Sequence, residues 1–160
     1  MANKESSLIT VGWREWVRLP EMGVRRIKAK IDTGARSSSL HAYDIEVVDS
    51  DDGQLVKFKV QPLQKNRDRV IEARLPVHEF RKVRSSNGQT TTRPVVRTTL
   101  VMLDQRFEID LTLFDRTKMG FRMLIGREAL VGRFIVDAER SFCGGKPKKK
   151  IAGKVKGNKK

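Results

Sequence analysis

Apolar and polar residues alternate along most of the chain, which is the pattern of β-strands that bury one face. The predicted strands are Val11–Leu19, Arg26–Ile31, Ile45–Val48, Leu55–Val60, Val70–Leu75, Arg81–Arg84, Thr90–Val96, Val95–Leu103, Phe107–Phe114, Met123–Gly126 and Arg133–Val136. A single short helical turn is predicted at Arg127–Leu130. The pattern therefore predicts an all-β domain with one short helix.

Turn residues join three pairs of these strands into predicted hairpins. The first turn is the polar run at residues 49–53. The second contains Asn87-Gly88, two residues that tolerate positive φ, and its polar arms predict a hairpin that projects from the body. The third turn, at residues 104–106, joins apolar arms that we expect in the core.

The chain has 160 residues, enough for one domain with a hydrophobic core. We expect a flexible N-terminal segment at residues 1–10, a folded domain at residues 11–142 and a basic, disordered tail at residues 143–160. Much of the formal charge of +15 lies in the tail, which has little to bury. That tail either only aids solubility or makes weak, salt-sensitive contacts with RNA, a ribosome or an acidic protein.

Cys143 is the only cysteine, so an intramolecular disulfide is excluded. An apolar segment typical of a signal peptide or a membrane span is not found in the sequence. We therefore expect a soluble, cytoplasmic protein without a membrane partner.

The segment with the clearest chemistry is Asp32-Thr33-Gly34, which directly follows a predicted strand. Glycine lets backbone N–H groups approach the carboxylate, and the threonine hydroxyl can tie the loop to its partner. Aspartic proteolysis needs two carboxylates that share one proton. Asp52-Gly53 lacks the threonine, so the chain supplies one such motif and would have to act as a homodimer.

Three landmarks resemble the retropepsins in their order along the chain. They are the strand-delivered Asp32-Thr33-Gly34-Ala35, the polar hairpin around Asn87-Gly88, and Leu124-Ile125-Gly126-Arg127 before the short helix. Residues 30–42, Pro62-Leu63 and residues 83–88 are also similar to a bacterial family labelled putative ATP-dependent zinc proteases. Members of that family are often encoded beside, or fused to, an enzyme that ligates glutamates onto a ribosomal protein.

The resemblance implies a retropepsin-like closed β-barrel or sandwich and an aspartic endopeptidase. It implies that Asp32 is the catalytic carboxylate and that Thr33 and Gly34 support it. Gly126 and Arg127 would be structural. Ser37 stands where the retroviral enzymes have an acidic partner for this arginine, so the sequence provides no partner for Arg127.

The same resemblance implies that Ser85, Ser86, Asn87 and Gly88 form a flap tip that closes over substrate. Ala35 and Arg36 are further candidates for substrate binding, because they directly follow Asp32-Thr33-Gly34. A basic side chain at position 36 would select acidic side chains through charge-assisted hydrogen bonds. The charge makes glutamate-rich peptides attractive as substrates, and the resemblance implies a glutamate-extended ribosomal protein as the candidate.

The zinc label finds little support in the residues available. The chain has His41, His78 and Cys143 but no His-Glu-x-x-His, whereas zinc normally takes three protein ligands at a recognisable spacing. We expect no metal and no cofactor; a distributed site of histidines and carboxylates is the alternative. The chain has no phosphate-binding Gly-x-x-x-x-Gly-Lys-Ser/Thr loop, so any ATP dependence would lie in a partner.

Two alternatives to a peptidase remain at this stage. The first is a non-catalytic basic domain that keeps the protease fold and docks on ribosomal RNA or on acidic protein tails. The second is an inactive relative whose flap grips an extended peptide by strand addition. Substitution of Asp32 by Asn distinguishes a peptidase from these alternatives, because a peptidase would lose cleavage and a binding domain would tolerate the change.

Overall fold

The computed structural model describes residues 8–63, 69–84, 87–115 and 120–146, and it confirms the predicted all-β fold with one short helix. The elements are β1 (Ile9–Val11), β2 (Arg14–Leu19), a 3₁₀ turn (Pro20–Met22), β3 (Val24–Ile31), β4 (Ser38–His41), β5 (Tyr43–Ser50), β6 (Gly53–Val60), β7 (Ile71–Pro76), β8 (Glu79–Arg84), β9 (Thr90–Met102), β10 (Gln105–Phe114), β11 (Met123–Ile125), α1 (Arg127–Leu130) and β12 (Phe134–Val136). Within the described ranges, no helix is long and apolar enough to cross a membrane.

Six strands close into a barrel in the order β9–β10–β4–β11–β3–β2, and β2 returns to β9. The pairs β4–β10 and β3–β11 are parallel, whereas the other neighbours are antiparallel. Fully buried side chains fill the interior, among them Ile27, Leu40, Leu100, Leu111 and Ile125. The parallel pairing of β3 with β11 brings the end of β3 beside the start of α1.

The seam between β2 and β9 is reinforced by a side chain. Arg18 and Val101 are register partners across it. Glu21, in the 3₁₀ turn after β2, accepts hydrogen bonds from the backbone N–H of Thr99 (3.0 Å) and the hydroxyl of Thr98 (2.9 Å). The hydrogen bond from Thr99, and to a smaller extent the one from Thr98, lowers the pKa of the Glu21 carboxyl. The turn is thereby attached to β9 where the barrel closes.

The prediction of one strand at Val11–Leu19 was wrong, because this segment forms two strands with different partners. β1 pairs with β12, and β2 pairs with β3. Gly12 lies at the division: a Cβ there would stand 2.3 Å from the carbonyl oxygen of Arg140. The chain bends at Gly12 to pass closely against its own C-terminal segment, a contact that local alternation does not reveal.

The hairpin turns also differ in detail from those predicted. β9 and β10 are joined by Leu103 and Asp104, which both have positive φ (48° and 64°), so the turn lies one residue earlier than expected. In the polar hairpin, Gly88 has the positive φ (90°). Asn87 contributes its side chain instead, because its Oδ1 accepts a hydrogen bond from the N–H of Gln89 (3.1 Å).

Strands β5, β6 and β7 form a separate three-stranded antiparallel sheet, inserted between β4 and β8. Val56, Phe58 and Val60 on one face of β6 are buried and join the main core. The other face is polar and includes Lys57 and Arg74, which are register partners. The insertion thus enlarges the core without taking part in closing the barrel.

Glu15 is a fully buried carboxylate on β2 that holds the C-terminal segment in place. It accepts hydrogen bonds from the backbone N–H groups of Gly12 (2.7 Å), Cys143 (3.0 Å) and Gly144 (3.1 Å). Burying a carboxylate is tolerable only when such donors surround it. Ordered contacts therefore continue past residue 142 and bind the end of the domain to β2.

We predict that Glu15→Ala destabilises the protein by about 3 kcal/mol, because it removes the acceptor for three N–H groups. Glu15→Gln should destabilise the protein less, since one acceptor oxygen remains. The measurement is the free energy of unfolding in urea. Glu139→Ala, at an exposed position, is the control and should change this energy by less than about 0.5 kcal/mol. If Glu15→Ala lowers the free energy of unfolding no more than the control does, Glu15 does not hold the C-terminal segment in place.

Candidate active site

Asp32 lies directly after β3, where the strand leaves the barrel. Ile31 is the register partner of Ile125 on β11, and the N–H of Asp32 donates to the carbonyl oxygen of Ile125 (2.9 Å). Asp32 is half-buried, whereas Thr33 and Gly34 are exposed. The barrel therefore fixes the backbone of Asp32 and leaves the following loop accessible.

The loop after Asp32 folds back on the aspartate. The N–H of Gly34 donates to Asp32 Oδ1 (3.0 Å), and the N–H of Ala35 donates to the Asp32 carbonyl oxygen (3.1 Å). A Cβ at Gly34 would lie 3.3 Å from Asp32 Oδ1, so glycine allows this close approach. The carboxylate is held in one orientation by its own loop, as the Asp32-Thr33-Gly34 motif predicts.

The start of α1 braces the loop from behind. The N–H of Arg127 donates to the carbonyl oxygen of Ala35 (2.8 Å), and the N–H of Glu128 donates to that of Arg36 (3.1 Å). These are N–H groups of the first helical turn, which have no acceptor inside a helix. The loop after Asp32 supplies the missing acceptors, so helix and loop stabilise each other.

Gly126 sits where the two segments come closest. Its N–H donates to the hydroxyl of Ser38 (3.0 Å). A Cβ on Gly126 would stand 2.5 Å from the carbonyl oxygen of Ser37 and 2.9 Å from that of Ala35. Because φ at Gly126 is −92°, which any residue adopts, the need for glycine here is one of space alone.

Arg127, for which the sequence offered no acidic partner, is bonded to a backbone carbonyl. Its Nη1 donates to the carbonyl oxygen of Thr33 (2.9 Å). The guanidinium thus ties α1 to the middle of the loop after Asp32 without a carboxylate. This arrangement accommodates Ser37 at the position where the retroviral pattern has an acidic residue.

Arg36 points to Glu128 on α1, with Nε 2.9 Å from Oε2. Both side chains are largely exposed, at 75% and 47% of their surface, so the pair adds little stability. Sequence reasoning missed Glu128, which is 92 positions away, and no local signal indicates the pair. The role of Arg36 in substrate binding stays a prediction, and Glu128 would compete with an acidic substrate for its charge.

A cleft of about 280 Å³ opens beside this pair. Its charged lining comprises Arg97, Glu108, Asp110, Glu128 and Arg133. Arg97 and Asp110 form an ion pair across it, with Nε 3.0 Å from Oδ1. The lining is therefore of mixed charge rather than uniformly basic.

The polar hairpin is formed by β8 and the outer half of β9, which pair from Glu79–Val95 to Arg84–Thr90. Its arms are mostly exposed, as the sequence predicts. Near its base, the Arg93 guanidinium lies 3.4 Å from the ring centroid of Phe114 and attaches the hairpin to the barrel. Ser85 and Ser86 lie outside the described residues, and the flap role of Asn87 and Gly88 stays a prediction.

The two histidines lie in different surroundings. The His41 side chain is 4% exposed, has Nδ1 3.6 Å from Asp115 Oδ1 and stacks with Tyr43. His78 Nε2 is 3.1 Å from Arg97 Nη2. In the part of the chain that the structure describes, no three His, Cys, Asp or Glu side chains are grouped so that they could hold a metal ion.

A family profile and a solved structure both match most of this chain. The profile of the RimB-like family, described as the retropepsin-like aspartic endopeptidase RimB, matches residues 10–147. A protein of Legionella pneumophila with unknown function has a solved structure that superposes with a TM-score of 0.71 at 26% identity. The match covers 85% of this chain and 98% of that one.

Curated relatives carry a different name. A probable alpha-L-glutamate ligase of Parasynechococcus marenigrum is 48% identical over 133 residues, and one of Desulfotalea psychrophila is 40% identical over 145 residues. These matches cover 83% and 91% of this chain but 28% and 31% of the ligases. The chain thus spans less than a third of the length of these relatives.

We predict that Gly126→Ala displaces the loop after Asp32 and destabilises the protein by about 2 kcal/mol, because the new Cβ overlaps the carbonyl groups of Ser37 and Ala35. Urea unfolding measures the loss. Gly120→Ala is the matched control, since a Cβ at Gly120 meets nothing within 4 Å. Equal stability of the two variants would show that the close approach at Gly126 is not a constraint.

Proposed function

Because the chain belongs to the RimB-like family of retropepsin-like aspartic endopeptidases, we propose that it is an aspartic peptidase whose catalytic group is Asp32. One observation carries the proposal. The carboxylate of Asp32 is fixed by the N–H of Gly34 in a loop that α1 braces at the mouth of a closed barrel. A loop used only as a turn would not need support at three of its carbonyl groups by a separate helix.

The proposed chemistry requires a second copy of the chain. Two carboxylates about 3 Å apart share one proton, because they cannot both ionise. In the proposed homodimer, the ionised Asp32 takes a proton from water, whose oxygen attacks the peptide carbonyl carbon. The protonated Asp32 gives its proton to the carbonyl oxygen. As the C–N bond of the resulting diol breaks, the Asp32 that took the proton from water gives it to the leaving nitrogen, and the other Asp32 takes a proton from a diol hydroxyl. The products are a carboxylic acid and an amine, and the two carboxylates again share one proton.

An exposed apolar pair follows α1 and supports the proposed dimer. Val131 is 73% exposed and Ile135, on β12, is 51% exposed. Both belong to the segment that begins at the brace of the catalytic loop. Covering them with a second copy would bury apolar surface close to the two Asp32 loops, whose exposed Thr33 could contact its counterpart.

For the substrate, we propose glutamate-rich or glutamate-extended protein tails. The support comes from the names of the relatives, which are probable glutamate ligases of which this chain matches less than a third. A ligase adds glutamates, and a peptidase joined or adjacent to it would remove them. The extended ribosomal protein tail that the family resemblance implies is the candidate within this class.

We predict that Asp32→Asn abolishes cleavage of peptides with glutamate-rich tails, because an amide cannot serve as the base. Mass spectrometry of the products measures cleavage, and urea unfolding should show an unchanged fold. Asp51→Asn, in the exposed turn between β5 and β6, makes the same chemical change and should cleave normally.

Each sample is also compared with and without a metal chelator. Cleavage that disappears with chelator in the wild type would overturn the metal-independent mechanism. Equal cleavage by Asp32→Asn and the wild type would overturn the role of Asp32. Failure of the folded wild type to cleave any such peptide would favour the non-catalytic binding domain.

We predict that Val131→Asp weakens the homodimer at least tenfold, since it would bury a charge in the proposed interface. Sedimentation equilibrium measures the dimer constant, and cleavage should fall in parallel at low protein concentration. Val70→Asp, at another exposed valine (42%), is the control and should leave both unchanged. Unaltered association of Val131→Asp would exclude this surface from the interface.

A further inference from the structure

The outer side of the β2–β3 hairpin combines positive charge with aromatic rings. Along β2 the alternate residues Glu15, Val17 and Leu19 are buried, so the intervening side chains face outward. On β3 the same alternation buries Ile27 and Ala29. We call the resulting surface the aromatic–basic face, and its members are Arg14, Trp16, Arg18, Arg26, Lys28, Lys30, Phe142 and Lys146.

The rings and one guanidinium of this face form a continuous stack with the neighbouring Trp13. The Arg14 guanidinium lies 4.6 Å from the ring centroid of Trp13 and 4.7 Å from that of Phe142. Phe142 in turn stacks on Trp16, with centroids 5.9 Å apart and planes inclined by 25°. A planar stack of this kind on a sheet surface offers flat apolar area to a further planar group.

Three more cations surround the indole of Trp16. Arg26, Lys28 and Lys146 lie 5.8, 5.6 and 5.5 Å from its centroid. Neither β2 nor β3 carries an outward-facing carboxylate, since their one acidic residue, Glu15, is buried and bonded to backbone N–H groups. The cations repel one another around a ring that neutralises none of them. An incoming polyanion would relieve this repulsion.

We propose that the aromatic–basic face binds single-stranded nucleic acid. The phosphates would take the flexible side chains of Arg26 and Lys28 from around the indole, and a base would then stack on Trp16. Sequence-tolerant binding of single strands combines two features: cations that contact the phosphates of the nucleic acid and aromatic rings that stack with its bases. An acidic peptide could use the charges but has no planar group for the ring, so the rings favour nucleic acid.

The face is distinct from the proposed peptidase site but lies next to it. Lys30 precedes Asp32 by two residues, and its side chain is on the outside of the barrel. The sequence beyond Lys146 contains seven more lysines. Nucleic-acid binding here does not depend on cleavage, and either property can fail without the other.

The test measures binding of the full-length protein to fluorescently labelled 12-nucleotide RNA and DNA of one sequence, by anisotropy over a range of salt concentrations. We expect Trp16→Leu to weaken binding roughly tenfold, the size expected when one base no longer stacks, and Trp16→Phe to retain most of it. Arg26→Glu/Lys28→Glu should weaken binding at least as much and reduce the salt slope by about 0.7 for each phosphate that the variant no longer neutralises. Arg26→Gln/Lys28→Gln repeats this test without charge reversal.

The matched control is Lys57→Glu/Arg74→Glu, which reverses two neighbouring charges on the three-stranded sheet and should bind as the wild type does. A glutamate oligopeptide of equal charge is the competing ligand. Equal loss of RNA binding in the control and in the face variant would show that only net charge matters and would overturn the proposal. So would tighter binding of the peptide than of both nucleic acids, or unchanged RNA binding by folded Trp16→Leu and by the double variants.

Discussion

The close approach of Gly126 to the loop after Asp32 is the contact on which the rest of the site depends. The end of β3 and the start of β4 meet there with the junction of β11 and α1, which lies 88 positions after the start of β4. A methyl group at Gly126 would overlap two carbonyl groups of the loop. Only with this space empty can the N–H groups of α1 reach the loop carbonyls and Arg127 reach Thr33. The orientation of Asp32 is thus a consequence of barrel closure.

The position of Asp32 therefore also depends on the strands that neighbour β3. β3, which delivers Asp32, is held between β11 and β2, and β2 reaches β9 through a short seam. Glu21 reinforces the seam, and the buried Glu15 fastens the C-terminal segment to β2. Two carboxylates bonded to backbone donors therefore stabilise β2, the neighbour of β3, while the proposed catalytic carboxylate remains half-exposed for chemistry.

Local sequence patterns were sufficient to predict most strands and the short helix, because strand period and turn chemistry are encoded within a few residues. They could not predict contacts between distant residues. The division of the first strand at Gly12 is set by Arg140, and the pairing of Arg36 by Glu128. Arg127 illustrates the same limit. Its partner is a backbone carbonyl, which has no signature in the amino-acid sequence.

Charge shows a similar difference between composition and arrangement. The sequence places a large positive excess in the chain and an arginine beside Asp32, which together suggest a basic substrate groove. In the fold, Arg36 is paired with Glu128, and the adjacent cleft has both signs of charge. The unneutralised cations of the folded domain instead include those on the outside of β2 and β3, around Trp16. An acidic substrate would have to displace Glu128 from Arg36, whereas a polyanion meets no carboxylate on the outer positions of those two strands. The two surfaces therefore differ in the ligand they favour.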